Sequence, residues 1–304
     1  MDVRQLRQFL AVAETLHFGR AARMLNMTQP PLSQSIRALE GELGAPLFIR
    51  TKRSVALSAF GAAWLGHVRQ ALGGIDALGE IAQQLILGTK GHLALSFVST
   101  ADYSVLPSLV RRFSTLYPDI DIALTEATSN VQIALLQDGK AQAGIIIAPQ
   151  HGGLPASLSY RRLLREPLLV AMPEDWIAAG RVQLQGDGLK PAHILDLPLV
   201  IFPQPMAPSF YELVFGFYRA HGVEPRVVQF ATQMQTIISL VSAGLGIALV
   251  PASLRHLART GVRYSKLQGD APVLETGLAW RTDDDTPSLR HFLHLAEAVA
   301  DDPP

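Results

Sequence analysis

The sequence predicts an α/β protein in three consecutive parts. These are a small helical head with a hairpin, one long helix, and a larger body in which strands and helices alternate. Three observations carry this reading. The 304 residues hold 26 Lys+Arg and 26 Asp+Glu, but the balance is uneven along the chain. Residues 1–58 carry eight basic and four acidic side chains, a net +4 that the remainder offsets with −4. From Ser58 to about Leu87, apolar residues recur at three- and four-residue spacing, the mark of a helix with one buried face. From His92 onward, short apolar runs of strand length alternate with helical patterns. The length suits roughly two domains, and 48% apolar against 17% charged residues disfavours wholesale disorder.

Composition also excludes several classes. The absence of cysteine removes a disulfide framework, thiolate catalysis, a cysteine zinc site and a thiol redox sensor. The start, Met1-Asp2-Val3-Arg4-Gln5-Leu6, lacks the apolar run of a signal peptide. No run of about 18 apolar residues offers a membrane span. The expectation is a cytoplasmic protein with no membrane partner. The neutral total does not argue against nucleic acid, because the basic charge is concentrated in the head.

In the head, Leu6, Phe9, Leu10 and Ala13 form one stripe of a first helix. A second helix is expected at 20–25, with Gly19 as its N-cap. Asn26 suits a left-handed turn. Thr28 can open a third helix whose first turn tolerates Pro30 and Pro31, where missing N–H groups cost nothing. Leu32, Ile36, Leu39 and Leu43 point inward, and Gln29, Ser33, Gln34 and Arg37 point outward. Two helices at this spacing are a helix-turn-helix signature. The outward face can enter a major groove, where Gln pairs with adenine and Arg reads guanine or holds a phosphate. The alternative is a small bundle with a solvated polar face. The run from Leu47 to Leu57 then reads as a hairpin with Arg50, Lys52 and Arg53 near its tip, the charge a wing needs to reach phosphates.

Ser58 can cap the long helix, whose roughly 29 residues span about 43 Å. Leu65, Val68, Leu72, Ile75, Leu78, Ala82 and Leu85 make a coiled-coil-like seam. Gly73, Gly74 and Gly79 each weaken the helix by about 1 kcal/mol, so packing must compensate. Either a partner subunit or the chain's own domain can supply it.

In the body, strands are expected at 93–98, 120–125, 143–148, 168–172, 199–202, 227–230, 247–250 and 274–280. Helices are expected at 106–116, 131–136, 210–220 and 234–243. Ligands bind where strand C-termini meet helix N-termini, and those junctions carry Ser99-Thr100, Thr128-Ser129, Gln204 and Thr232-Gln233. Free N–H groups at such helix starts suit a carboxylate or another small anion. Each hydroxyl taken singly is also explained as a simple N-cap.

The run from Phe18 to Glu40, Phe-Gly-Arg-Ala-Ala-Arg-Met-Leu-Asn-Met-Thr-Gln-Pro-Pro-Leu-Ser-Gln-Ser-Ile-Arg-Ala-Leu-Glu, followed by Glu42-Leu43-Gly44 and Leu47-Phe48, resembles the winged helix-turn-helix of LysR-type transcriptional regulators. Gly244-Leu245-Gly246-Ile247-Ala248-Leu249-Val250-Pro251 is similar to a motif of the same family's effector-binding domain, which is related to type 2 periplasmic binding proteins. The resemblance covers the whole chain. It implies a winged helix-turn-helix at 1–58, a dimerising linker helix at 59–88 and an effector domain at 89–304. The effector domain would divide into one subdomain at 91–162 plus 268–304 and a second at 163–267. It implies that Gln29, Pro30, Ser33 and Gln34 face the bases and that Arg50 and Arg53 serve the wing, and Pro31 and Arg37 complete the expected DNA-binding set. An effector cleft would be lined by Ser99, Thr100, Thr128, Phe202, Gln204 and Thr232. Many relatives carry Arg at the position of Gln34, so the bases read there would differ. Some relatives that respond to aromatic acids present an Arg from the strand that here reads Ile145-Ile146-Ile147. Its replacement by isoleucine points away from a dicarboxylate and towards an aromatic or aliphatic monocarboxylate.

The expected function is therefore effector-controlled binding and bending of an operator. The expected partners are double-stranded DNA, a small molecule, a second or further copies of the chain as dimer or tetramer, and RNA polymerase. No cofactor, metal or catalytic residue is expected. Gly244-Leu245-Gly246 follows a helix and precedes a strand, the reverse of a dinucleotide fingerprint, and reads as a helix stop with close packing. His291 and His294 lack a third ligand and read as an exposed helix face. No nucleophile elbow, P-loop or H-E-x-x-H occurs. Two rivals start from the body: a solute-binding protein, which needs an export signal and has no use for the head, and an enzyme, which lacks a catalytic constellation.

Overall fold

The computed structural model describes residues 1–51, 54–150, 152–184, 186 and 188–300. The chain forms two compact units, Met1–Gln84 and Leu85–Pro304.

The first unit opens with α1 (Val3–Thr15), α2 (Phe18–Met24) and α3 (Gln29–Leu43). Asp2 and Gln5 form a capping box on α1, in which the Asp2 carboxylate accepts from the Gln5 N–H at 2.7 Å and the Gln5 side chain accepts from the Asp2 N–H at 2.9 Å. The cap of α2 corrects the expectation of Gly19. His17 Nδ1 accepts from the N–H groups of Gly19 (3.1 Å) and Arg20 (3.2 Å), which starts the helix two residues earlier than expected. Asn26 takes the left-handed conformation (φ 52°) and turns the chain into α3. Thr28 stands at the N-cap of α3 without a side-chain cap bond, and Pro30 and Pro31 fill the first turn. Strands β1 (Phe48–Arg50) and β2 (Val55–Leu57) pair antiparallel, Phe48 opposite Leu57 and Arg50 opposite Val55.

The long helix α4 (Ala59–Leu87) is capped by Ser58, whose hydroxyl accepts from the Gly61 N–H at 2.9 Å. Its first half belongs to the head. Val68 and Leu72 are buried in one core with Phe9, Leu32, Ile36, Leu39 and Leu47, and Trp64 lies 5.1 Å from Phe9, ring to ring. The upper part of the expected seam is thus occupied by the chain's own head. Leu78 and Leu85, further along, are exposed.

The second unit runs β3 (Lys90–Phe97), a 3-10 turn (Ser99–Tyr103), α5 (Val105–Leu116), β4 (Asp119–Glu126), α6 (Ser129–Gln137), β5 (Ala143–Ile147) and β6 (Leu158–Pro173). It continues with α7 (Glu174–Ala178), β7 (Gly188–Leu189), β8 (Leu199–Ile201), α8 (Pro208–Ala220), β9 (Val227–Phe230) and α9 (Met234–Ser242). It ends with β10 (Ala248–Pro251), β11 (Val262–Leu267), β12 (Val273–Arg281) and α10 (Pro287–Ala300). Strands β3, β4 and β5 are parallel, the arrangement expected when helices α5 and α6 cross between them. Strand β12 runs antiparallel to β5 and to β6.

The 16-residue β6 is the structural hinge between pairing partners. Its first part, to Pro167, pairs with β12, and from Leu168 on it pairs with β10 and β11. The sequence announced only its apolar second part. Arg161, Arg162, Arg165 and Glu166 hide the first, and Arg263 and Lys266 hide β11 in the same way. Strands β8 and β9 form a separate parallel pair. The Gly244–Gly246 run acts as a stop and a close approach. Gly244 ends α9 at φ 82°, and a Cβ on Gly246 would lie 2.4 Å from the Pro198 carbonyl oxygen. His291 departs from the expected exposed face. Its Nε2–H donates to the Leu87 carbonyl at 2.9 Å, its Nδ1 accepts from the Tyr117 hydroxyl at 3.1 Å, and its ring stacks on Tyr117.

Candidate functional site

Two regions carry chemistry. In the head, α3 buries Leu32, Ile36 and Leu39 completely, which fixes its opposite face towards water. Gln29, Pro30, Pro31, Gln34 and Arg37 are exposed there, and Ser33 is half-buried among them. Arg37 takes part in no ion pair among the described residues. Arg50 differs from this group. Its guanidinium pairs with Glu40 at 2.9 Å and lies over the Phe18 ring at 4.7 Å, so it ties β1 back to α2 and α3. Arg53 lies outside the described residues.

In the body, a cavity of about 450 Å³ opens where several strand ends meet helix starts. Ser99 and Thr100 come from the turn after β3, and Thr128 and Ser129 from the junction of β4 with α6. Phe202 follows β8, and Thr232 and Gln233 lead into α9. The cavity therefore brings together Ser99, Thr100, Thr128, Phe202 and Thr232. It leaves out Gln204, which is exposed and whose carboxamide donates to Glu212 at 3.4 Å. Helices α6, α8 and α9 all begin at this cavity, and none has a side-chain cap bond. Three sets of uncapped N–H groups thus bring positive partial charge to the cavity. Val98, Val131, Ile147 and Phe210 give the same cavity an apolar share of its lining.

Sequence reasoning missed Met206, Ser209 and Glu126. Glu126 was within reach of the rule that found its neighbours, since it ends β4 two residues before Thr128. It carries the one formal charge on the cavity wall, which has no Lys, Arg or His among the described residues. Asp102 stands beside it, sharing a small recess with Glu126, Ser99 and Gln233. Burial, and then the Glu126 carboxylate, push the Asp102 carboxyl above its ordinary range. Thr100 is 3% exposed, and its hydroxyl has no hydrogen-bond partner among the described residues.

Beneath the cavity, Gln132 is fully buried and fully used. Its Nε2 donates to the carbonyls of Ala127 (2.8 Å) and Ile145 (3.1 Å), and its Oε1 accepts from Ser96 Oγ at 3.1 Å. The network fixes the β4–α6 junction that presents Thr128. Among the described residues no cluster of metal-binding side chains occurs, and no helix is long and apolar enough to cross a membrane.

A helix-turn-helix head followed by an α/β body with a ligand-sized cavity defines a class, the DNA-binding regulators with a small-molecule-binding domain. Comparison with known proteins identifies the family. Residues 3–62 match the model of the bacterial regulatory helix-turn-helix protein of the lysR family, and residues 88–301 match the LysR substrate binding domain. The chain belongs to the LysR family of transcriptional regulators, with a DNA-binding head and an effector-binding body. It is 58% identical over 295 residues to the HTH-type transcriptional regulator IlvR of Caulobacter vibrioides, covering 97% of each chain. It is 37% identical to AlsR of Bacillus subtilis over 97% of this chain and 95% of that one. These relatives are named as transcriptional regulators and not as enzymes. Among solved structures, full-length CbnR in complex with its target DNA matches with a TM-score of 0.74 at 28% identity, covering 99% of this chain and 100% of that one.

Proposed function

We propose that this regulator reads its operator through the exposed face of α3 and answers to a small carboxylate with an aliphatic or aromatic body, held in the cavity of the second unit. The observation that carries the ligand class is the convergence of three uncapped helix N-termini on a 450 Å³ cavity that is otherwise lined largely by apolar side chains. Gln29, Pro30, Pro31, Ser33, Gln34 and Arg37 are the base- and phosphate-facing set. Arg53 adds a phosphate contact from the hairpin. Ser99, Thr100, Thr128, Phe202 and Thr232 hold the effector.

The active form is a dimer or tetramer working in the cytoplasm, since two heads on a two-fold axis match a palindromic operator. The exposed Leu78 and Leu85 of α4 support that pairing. Subdomains at 91–162 plus 268–304 and at 163–267 would move about β6 and the link from β11 to β12. The effector acts by preferring one of two arrangements.

A mobility-shift assay at defined salt tests the DNA part. Duplex from the intergenic region flanking the gene is expected to bind far more tightly than random duplex, and equal binding overturns the reading. Arg53→Ala should weaken binding to all sequences and flatten the salt slope, whereas Gln34→Ala should change base preference.

A further inference from the structure

We propose that the second unit holds a second small-molecule site, for an organic dianion such as a phosphate monoester, in a hollow walled by Arg255, Arg263 and Lys266. The hollow shares no lining residue with the first cavity, so the inference does not depend on what that cavity binds.

The first ground is charge along the chain. Residues 59–304 are net −4, yet Ala252 to Gln268 carry four basic side chains and no acidic one. The fold keeps these cations together. Strand β11 carries Arg263 and Lys266, and the 3-10 turn before it (Ala252–His256) carries Arg255. Tyr264 of β11 donates its hydroxyl to the Leu257 carbonyl at 3.0 Å, which pins the end of that turn to the strand. Arg255, Arg263 and Lys266 then line a hollow of about 440 Å³, and Arg259 joins Arg255 and Arg263 around an adjoining one. None of the four makes an ion pair among the described residues. No described Asp or Glu lines either hollow. Like charges gathered without a counter-ion repel one another, and a bound anion relieves the repulsion.

The residues between the cations define the kind of anion. Leu168, Leu169, Leu184 and Leu267 give the hollow an apolar share of its lining, suited to a carbon skeleton. Ser265 lines it too, 5% exposed and without a side-chain hydrogen bond among the described residues, whereas buried hydroxyls are normally bonded. Two guanidiniums and an ammonium present more donors than one carboxylate accepts, and they match a dianion in charge.

The place of the hollow gives binding a consequence. Strand β6 leaves β12 for β10 and β11 after Pro167, and the chain returns to β12 by the link that follows β11. Pro167 and Leu168 at the first crossing and Ala271 at the second all line the hollow. The two crossings are tied by the Leu168 N–H, which donates to the Pro272 carbonyl at 2.8 Å. An anion seated here bears on both crossings at once, the place from which one ligand can favour one arrangement of the body over another.

The test is calorimetric titration of the full chain at about pH 8 and about 50 mM salt, where screening is weaker. The probes are phenyl phosphate, phthalate, benzoate and inorganic phosphate. Phenyl phosphate or phthalate is expected to bind tenfold or more tightly than benzoate, which has the same ring and one charge. Which of the two binds distinguishes a phosphate ester from a dicarboxylate. Arg255→Gln combined with Lys266→Gln should abolish the preference. Arg111→Gln combined with Arg112→Gln, an equal loss of charge at exposed positions of α5, should keep it. Melting curves check that both variants fold. In the unmodified chain, amide exchange at Leu168 and Ala271 should slow when the dianion binds. The inference is overturned if neither dianion outbinds benzoate, or if inorganic phosphate binds as tightly as the organic dianions. It is overturned equally if the Arg255 and Lys266 variant keeps the preference, if both double variants lose it alike, or if exchange at the crossings does not change.

Discussion

Glu40 of α3 clasps the hairpin through Arg50. One carboxylate oxygen accepts the Arg50 guanidinium at 2.9 Å, while the other accepts the backbone N–H groups of Leu47 (2.9 Å) and Phe48 (3.1 Å). A single side chain therefore sets where the hairpin leaves the proposed recognition helix. Glu40→Ala leaves two N–H groups without their acceptor, and the head should lose about 1–3 kcal/mol. Arg50→Ala should lower the melting temperature as well, because it removes the pair and the contact over Phe18. Denaturation curves of both variants check this. If Arg50→Ala melts like the unmodified chain, Arg50 is not a structural residue.

Gly61 and Gly66 lie one and a half turns apart on α4 and should respond oppositely to alanine. Helix propensity alone favours alanine by about 1 kcal/mol at each. A Cβ on Gly61, however, would stand 2.2 Å from the Leu47 carbonyl oxygen, whereas Gly66 has nothing within 4 Å. The Leu47 oxygen is backbone, fixed by its bond from the Ser58 N–H at 3.0 Å, and cannot move aside cheaply. Gly66→Ala should therefore gain up to about 1 kcal/mol, and Gly61→Ala should lose about 1–3 kcal/mol as an overpacked site. Thermal melts of the two variants read the sign directly.

Gln132 offers a third prediction because it links stability to the cavity. Replacing it by Leu takes a donor from the carbonyls of Ala127 and Ile145 and an acceptor from the Ser96 hydroxyl, although Ile145 keeps the Val98 N–H (3.0 Å) and Ser96 keeps the Ala143 carbonyl (3.3 Å). The cost is about 2–4 kcal/mol for a fully satisfied buried network. Because Ala127 precedes Thr128, effector affinity should fall with stability. A variant that loses stability but binds any identified effector normally would separate the network from the site.

These particulars show what the sequence could disclose. Helices α1 to α4 were readable because their apolar stripes are local, and Asn26 was readable because few residues accept its left-handed turn. The His17 cap was not, since a ring nitrogen rarely takes the part of Ser or Asp. Arg50 looked like a tip cation because its partner is ten residues distant and meets it only in the folded head. Ser99, Thr100, Thr128 and Thr232 were accessible as hydroxyls at strand ends. The convergence of three helix starts on one cavity depends on sheet order, which local pattern does not encode. The charged first part of β6 was lost because it forms a ladder with β12 while exposing Arg162 and Arg165, so it never presents an apolar run.

Glu166, on that part of β6, yields a prediction in pH. It is 7% exposed, and its oxygens accept from the Ser253 N–H (2.6 Å) and hydroxyl (3.1 Å). Burial raises its carboxyl above the ordinary 4.5, and the two bonds from Ser253 offset that only in part. The folded state therefore holds the proton to a higher pH than the unfolded state does. Its stabilising effect is complete below the unfolded value and is lost as pH rises through the folded one. Glu166→Gln keeps an acceptor for Ser253 and removes the titration. Its melting temperature relative to the unmodified chain should rise as pH is taken upward from about 4.5 and level off once Glu166 is ionised in both states. Melts across pH 4 to 8 decide the matter. A difference that falls with pH would mean that Ser253 outweighs burial and that the ionised carboxylate is the form the fold prefers.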